Sequence, residues 1–306
     1  MKACFVGMGS IAKRHIKNLR ALYNDLQIDV LHHKKTAIEG SEFDTYVNSH
    51  YYSVNALPGD YDVIFITNPT YLHLEVLKQI HDKGKHFFIE KPVCMDTNVC
   101  IKALHLRSES IYYVACPLRY KKVLQYIRNT VDFSKVYSIR CITSSYLPEW
   151  RTGQDYRNVY SAKKDLGGGV ELDLIHEWDY LTWLIGFPQV VKSIVGRKSS
   201  LEIDSNDIAV YIAEYKDKVV EVHLDYFGRV PVRKMELICE DDDIIVDMVE
   251  NCIICRKTGE NLHFEEDRDD FQKKELKHFF DILSGDAVND NSIENALEVL
   301  KIAKGE

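Results

Sequence analysis

Lys2-Ala3-Cys4-Phe5-Val6-Gly7-Met8-Gly9-Ser10-Ile11-Ala12 is the stretch that decides the fold of this chain. An apolar run ends in glycine, and Ile11, Ala12, Ile16, Leu19 and Leu22 follow at helical spacing, so the segment reads as strand, tight turn and helix start. Gly7-x-Gly9-x-x-Ala12 is one form of the dinucleotide fingerprint. Gly7 permits the turn, Gly9 lets a pyrophosphate reach the backbone, and Ala12 is small enough for helix to pack on strand. The helix opened by Ser10, Ile11 and Ala12 presents free N–H groups and a partial positive charge, which suit phosphate. A purely structural glycine turn is the alternative, and the alternating pattern that follows favours the nucleotide site.

Working outward, residues 1–119 alternate strand and helix patterns, as a doubly wound parallel α/β domain requires. Strands are expected at Ile28–Leu31, Val63–Thr67, His86–Ile89 and Tyr112–Ala115, and helices at Leu72–Lys83 and Asn98–Arg107. Residues 120–306 read differently. A helix at Lys121–Asn129 leads into a strand at Val136–Ser144, an aromatic stretch without period at Tyr146–Lys164, and a strong helix within Leu166–Leu184. Strands then follow one another at Val190–Val195, Ile208–Tyr215, Val219–Tyr226, Lys234–Cys239, Ile244–Asp247 and Cys252–Arg256. Strands without intervening helices imply a mostly antiparallel sheet, with a hairpin at Lys216-Asp217-Lys218. Helices at Asp270–Leu283 and Ile293–Ala303 close the chain, and the last of them is free to pack back on the first domain.

The chain's 306 residues, 45% hydrophobic with a net charge of −8, suit two globular domains and disfavour nucleic acid as a partner. No apolar stretch approaches the ~20 residues of a membrane span. The N-terminus lacks the pattern of a secretory signal, and most of the eight cysteines sit in apolar runs, so a reduced, cytoplasmic protein is expected. Cys252-x-x-Cys255 has no second ligand pair at zinc spacing. A strand there points the two thiols to opposite faces, so no metal is expected.

The second strand bears on the choice of cofactor. NAD recognition wants an acid at its end, but Asp29 comes too early and the strand runs into His33, Lys34 and Lys35. These three suit a 2′-phosphate, so NADP is favoured over NAD; the alternative is a solvated basic turn. Thr67, Asn68, Pro69 and Thr70 end the central strand, where Thr70 is placed to cap the next helix, and His73 is placed either to cap it or to contact the cofactor. Glu90-Lys91-Pro92 follows another parallel strand, and ligands bind beyond the carboxyl ends of such strands. An ammonium at Lys91 suits a substrate oxygen that gains negative charge; the alternative is an ordinary polar strand end. The Lys91–Pro92 bond is a candidate for cis.

Arg119, Tyr120, Trp150, Arg151, Tyr156, Arg157 and Tyr160 cluster in and before the unperiodic stretch. Aromatic faces suit sugar rings and arginine forks suit carboxylate or phosphate. A carbohydrate-like substrate with an anionic group is one reading, and a surface loop anchored by Tyr and Trp, or an oligomer contact, is the other.

Together, Gly7–Ala12, Asn68-Pro69-Thr70 with His73, Glu90-Lys91-Pro92 and Gly167-Gly168-Gly169-Val170-Glu171-Leu172-Asp173-Leu174-Ile175-His176 resemble the Gfo/Idh/MocA oxidoreductases. The resemblance implies a Rossmann domain followed by an α/β domain with an open, mostly antiparallel sheet. It implies NAD(P)-dependent hydride transfer on a sugar, sugar acid, cyclitol or nucleotide sugar. It also implies a homodimer or homotetramer, and catalysis by Lys91, Asp173 and His176. The three-residue step from Asp173 to His176 departs from the four found in many members, and on a continuous helix either step keeps both side chains on one face. A histidine suits proton transfer near neutrality, with Asp173 orienting the imidazole or binding a hydroxyl. The rival class is a non-catalytic nucleotide-binding sensor on the same fold. A third reading is an oxidoreductase that retains its nicotinamide between turnovers.

Overall fold

Alternating apolar strands and amphipathic helices build the first part of the chain, and the computed structural model describes residues 1–33 and 42–306. β1 (Lys2–Val6), α1 (Ser10–Leu22), β2 (Gln27–Leu31), β3 (Ser49–Tyr51), β4 (Tyr61–Ile66), α2 (His73–Ile80), β5 (Gly84–Ile89) and β6 (Tyr112–Val114) follow in order. The six strands form one sheet in the order β3-β2-β1-β4-β5-β6, and every pairing is parallel. That is the doubly wound order, with its switch point beside β1 and β4. Phe5 and Phe65 stack at 4.4 Å, and Phe88 lies 5.1 Å from Phe65; all three are fully buried, as expected of strands covered on both faces.

The second part contains α3 (Lys122–Thr130), β7 (Val136–Tyr146), α4 (Val170–Asp173), α5 (His176–Ile185), β8 (Val190–Gly196), β9 (Ile208–Glu214), β10 (Val219–Asp225), β11 (Phe227–Cys239), β12 (Asp243–Asp247), β13 (Cys252–Cys255) and β14 (Asn261–His263). Its eight strands run β14-β13-β12-β11-β7-β10-β9-β8. All pairings are antiparallel except β7 with β10. One face is covered: Ala209, Tyr211, Val220, Val222 and Leu237 are buried, and Trp178 of α5 meets Tyr211 edge-on at 5.3 Å. α6 (Asp270–Ser284) and α7 (Ile293–Lys304) end the chain. Two compact units result: Met1–Ala115 with Gln272–Leu297, and Cys116–Phe271 with Glu298–Glu306. In the first unit Phe279 of α6 packs on Phe65 and Phe88. In the second, the Tyr211 hydroxyl donates to the Ala303 carbonyl. Among the described residues, no helix is long and apolar enough to cross a membrane.

Four local expectations change. Asn98–Arg107 forms no α-helix, only a 3-10 turn at Ile101–Leu104 that ends at His105 with φ 51°; Leu104 alone of that turn is buried, too little apolar anchorage for a short helix. The helix expected after the three glycines of Leu166–Leu184 starts, as read, at Val170, behind Gly169 with φ 142°. It then breaks at Leu174, whose φ of −101° and ψ of 26° leave helical geometry. Asp173 and His176 therefore do not share one continuous helix. β11 begins seven residues before Lys234, carrying Pro231 across a register shift between Phe227 and Val232, the kind of irregularity that tolerates proline. β3 was not expected, since Ser49-His50-Tyr51 is a half-buried edge strand without apolar alternation.

Candidate functional site

In the first unit the sequence dictates the loop after β1. Gly7 has φ 90°, and a Cβ there would stand 3.2 Å from the Asn68 backbone, so glycine is required. Its N–H donates to the Leu31 carbonyl, and the Thr67 hydroxyl donates to the Val6 carbonyl at 2.9 Å. Thr67 thus props the loop from beneath. Gly9 caps α1 with no side-chain hydrogen bond, and a Cβ built on it meets nothing within 4 Å. The α1 N-terminus, from Ser10 through Ile11 to the buried Ala12, carries no acid in its first turn and stands beside the open space at Gly9, a setting that suits an anion. Beside it, both amide atoms of Asn68 are buried without a hydrogen-bond partner, a cost that a polar ligand would relieve.

Other expected cofactor residues have different work. His73 is 1% exposed and neither caps α2 nor faces open space; its Nε2 lies 2.9 Å from the Asn68 carbonyl and its Nδ1 3.0 Å from that of Pro92. Burial pulls its pKa below the ordinary histidine value, against the opposing pull of those carbonyls and of Glu90. Thr70 does not cap α2 either, because it opens the 3-10 turn Thr70–Leu72 that follows the exposed Pro69. Lys91 follows β5 at the sheet's carboxyl edge, half-buried, and its bond to Pro92 is cis.

At the end of β2, His33 is exposed, while Lys34 and Lys35 lie outside the described residues. Asp29 lies inside β2, fully buried, accepting from the Tyr61 hydroxyl at 2.9 Å; it is built into the sheet and does not read a ribose. His32 stacks between His50 and Tyr52.

The second unit holds the other candidates. Asp173, 6% exposed, accepts from the Tyr226 hydroxyl at 2.6 Å. Tyr226 is fully buried, and burial followed by the Asp173 charge pushes its pKa far up. The Tyr160 phenol is raised too, first by the Asp173 charge and then by burial. Both phenols therefore stay protonated donors toward the carboxylate. Trp150 meets Tyr226 edge-on at 5.1 Å and donates from Nε1 to Ser145, while Arg151 lies 5.1 Å over Tyr160. Tyr226 escaped the sequence reading because nothing in Leu224-Asp225-Tyr226-Phe227 marks a site; only the fold brings it to Asp173. His176 is the first residue of α5, half-buried.

The arginine forks are partly committed. Arg119, 1% exposed, grips Asp179 through two bonds of 2.9 and 2.7 Å. Arg157 grips Asp155 and reaches Glu202 at 3.2 Å. Arg151 has no carboxylate partner among the described residues. Tyr156 accepts from the Glu202 N–H, and Tyr120 is half-buried at the end of the 3-10 turn Pro117–Tyr120.

Known proteins resemble this chain in sequence over its first part and in fold over nearly all of it. Residues 1–112 match a family model described as an oxidoreductase family with an NAD-binding Rossmann fold. An uncharacterised oxidoreductase of Synechocystis sp. is 28% identical over 126 residues, 40% of this chain; the match spans only 34% of that relative's length. The WlbA dehydrogenase from Bordetella pertussis, solved with NADH and UDP-GlcNAcA, superposes with a TM-score of 0.81 at 18% identity, covering 99% of this chain and 94% of its own. A levoglucosan dehydrogenase solved with NADH gives a TM-score of 0.84 at 14% identity, covering 100% and 95%. At such identities the likeness is one of fold.

Proposed function

We propose that this chain, whose residues 1–112 match the family model of the Gfo/Idh/MocA oxidoreductases with an NAD-binding Rossmann fold, transfers a hydride between a nicotinamide cofactor and a secondary alcohol or ketone of a carbohydrate-like substrate. The observation that carries this reading is the open phosphate cradle. A strained Gly7, an unobstructed Gly9 and an acid-free helix N-terminus stand beside an Asn68 amide left without partners. Gly7, Gly9, Ser10, Ile11 and Asn68 would hold the dinucleotide. A bound nicotinamide supplies the hydride acceptor or donor. Lys91 holds the substrate oxygen and stabilises its developing charge. His176 takes or returns the hydroxyl proton, the role to which imidazole is suited near neutral pH. Asp173, fixed by Tyr226, holds a substrate hydroxyl or the imidazole.

NADP is the favoured cofactor, because no carboxylate among the described residues ends β2 and His33 is exposed there. The substrate class is a sugar, sugar acid, cyclitol or nucleotide sugar. Relatives of this fold include a levoglucosan dehydrogenase and an enzyme solved with UDP-GlcNAcA, which supports the carbohydrate reading. Arg151 is the arginine best placed to meet an anionic group, since Arg119 and Arg157 already hold carboxylates. A second copy of the chain is the proposed cover for the outer face of the large sheet, where Ile142, Ile194 and Ile212 are 41%, 65% and 57% exposed.

The test is reduced-cofactor absorbance across a panel of sugars, sugar acids and nucleotide sugars, with Lys91→Met alongside. Turnover by the wild type that falls on the order of 10² to 10⁴ in the variant supports the reading. Dinucleotide binding without turnover on any panel member favours the non-catalytic sensor.

A further inference from the structure

Glu90 is 8% exposed, and a carboxylate so placed is costly without partners. Its partners are a side chain of α1 and the backbone of the next residue. Oε1 lies 2.6 Å from Nε2 of His15, a residue of α1 that is 1% exposed. Oε2 accepts from the Lys91 backbone N–H at 3.2 Å. Burial opposes the charge, yet the His15 hydrogen bond and the charges of His15, Lys91 and His73 hold Glu90 below the ordinary glutamate pKa. Glu90 is therefore an acceptor, and Nε2 of His15 carries the proton. Nδ1 of His15 is buried with no partner, so the ring makes a single polar contact, with Glu90. His73 meets the next residue but one, through the Pro92 carbonyl.

We propose that His15 and Glu90 are positioning residues for Lys91: a buried brace from α1, the helix that begins at the phosphate cradle, fixes the turn carrying the lysine and keeps a negative charge beneath its ammonium. The inference rests on the role given to Lys91 above, but the brace itself is read from contacts within one unit. His15 lies in the second turn of a helix whose buried residues are otherwise Ala12, Ile16, Asn18 and Leu19. An apolar residue would fill that place; an imidazole aimed at a carboxylate does something more.

The experiment follows trace acylation of Lys91 by mass spectrometry across pH in the wild type, Glu90→Gln, His15→Phe and His15→Gln, with NADPH affinity and melting temperature recorded in parallel. Removing the charge beneath the ammonium lowers its pKa. Glu90→Gln deletes that charge, and His15→Phe deletes the hydrogen bond that keeps the buried carboxyl ionised, so Lys91 in both is expected to label about tenfold faster at pH 7, equivalent to a shift of about one pH unit. His15→Gln, which retains an N–H for Glu90, should label at close to the wild-type rate. Where a substrate is turned over, kcat falls in the first two variants while NADPH affinity stays within about threefold. Wild-type labelling in both Glu90→Gln and His15→Phe, whatever happens to melting, would reduce the pair to packing. If His15→Phe does not fold, Glu90→Gln decides alone. A wild type that binds no dinucleotide would defeat the functional reading, and the labelling result would still judge the brace.

Discussion

In the first unit the His73 ring rests on two main-chain carbonyls and the Thr67 hydroxyl on a third, under the glycine loop, while one side-chain pair, His15 on Glu90, braces the Lys91 turn. In the second unit Asp173 and Arg119 are held by side chains 53 and 60 positions away, Tyr226 and Asp179. Backbone carbonyls are supplied by the fold whatever the residue. A phenol or a carboxylate is lost with one substitution. The second unit should therefore be the more fragile of the two to single changes, and the first the more tolerant outside its glycines and the His15–Glu90 pair.

The largest expected effect is at Arg119. Arg119→Met strands the buried Asp179 carboxylate, and chemical denaturation should show a loss of about 3–5 kcal/mol. Tyr226→Phe removes one donor from Asp173 and should cost about 1–3 kcal/mol, with a lower kcat on whichever substrate is turned over. In the first unit, Gly7→Ala forces a side chain into left-handed backbone against Asn68; a loss of about 1–2 kcal/mol is expected in melting experiments. A loss at Thr67→Val as large as that at Arg119→Met would dissolve the contrast between the units. Glu90→Gln sharpens it through pH. A carboxyl held below its ordinary value adds stability that is complete above about pH 4.5 and fades as pH falls through the folded value. The wild type should therefore lose more melting temperature than Glu90→Gln between pH 6 and pH 3.5. The smallest effect is at Arg157, whose pairs with Asp155 and Glu202 are exposed. Arg157→Met should leave melting unchanged, and a change in substrate KM for this variant, but not for Arg151→Met, would reverse the assignment of the anion-facing arginine.

The parallel sheet and its glycine loop were legible because period and motif are local: Lys2–Val6, the glycines and the following apolar spacing lie within one short stretch. The successive strands of the second sheet were legible for the same reason, down to the Lys216-Asp217-Lys218 hairpin. The break at Leu174 was not, since Leu174 and Ile175 are good helix residues and only tertiary context takes Leu174 out of register. Nor was the commitment of Arg119 to Asp179, because a fork that suits a ligand's carboxylate suits the protein's own equally well. His73 was read as a cap or ribose contact, whereas its two carbonyl partners come from turns that sequence separation hides.

The account stands on the cradle between Gly7 and Ala12, and the most direct measurement is titration of NADPH and NADH into the wild type and Gly9→Val by fluorescence. Gly9 faces open space, so the variant should melt within about 2 °C of the wild type yet bind at least about 100-fold more weakly, a loss of about 2.7 kcal/mol. NADPH should bind the wild type more tightly than NADH. Saturable binding of equal strength in both proteins, or none to the wild type at millimolar dinucleotide, would contradict the account.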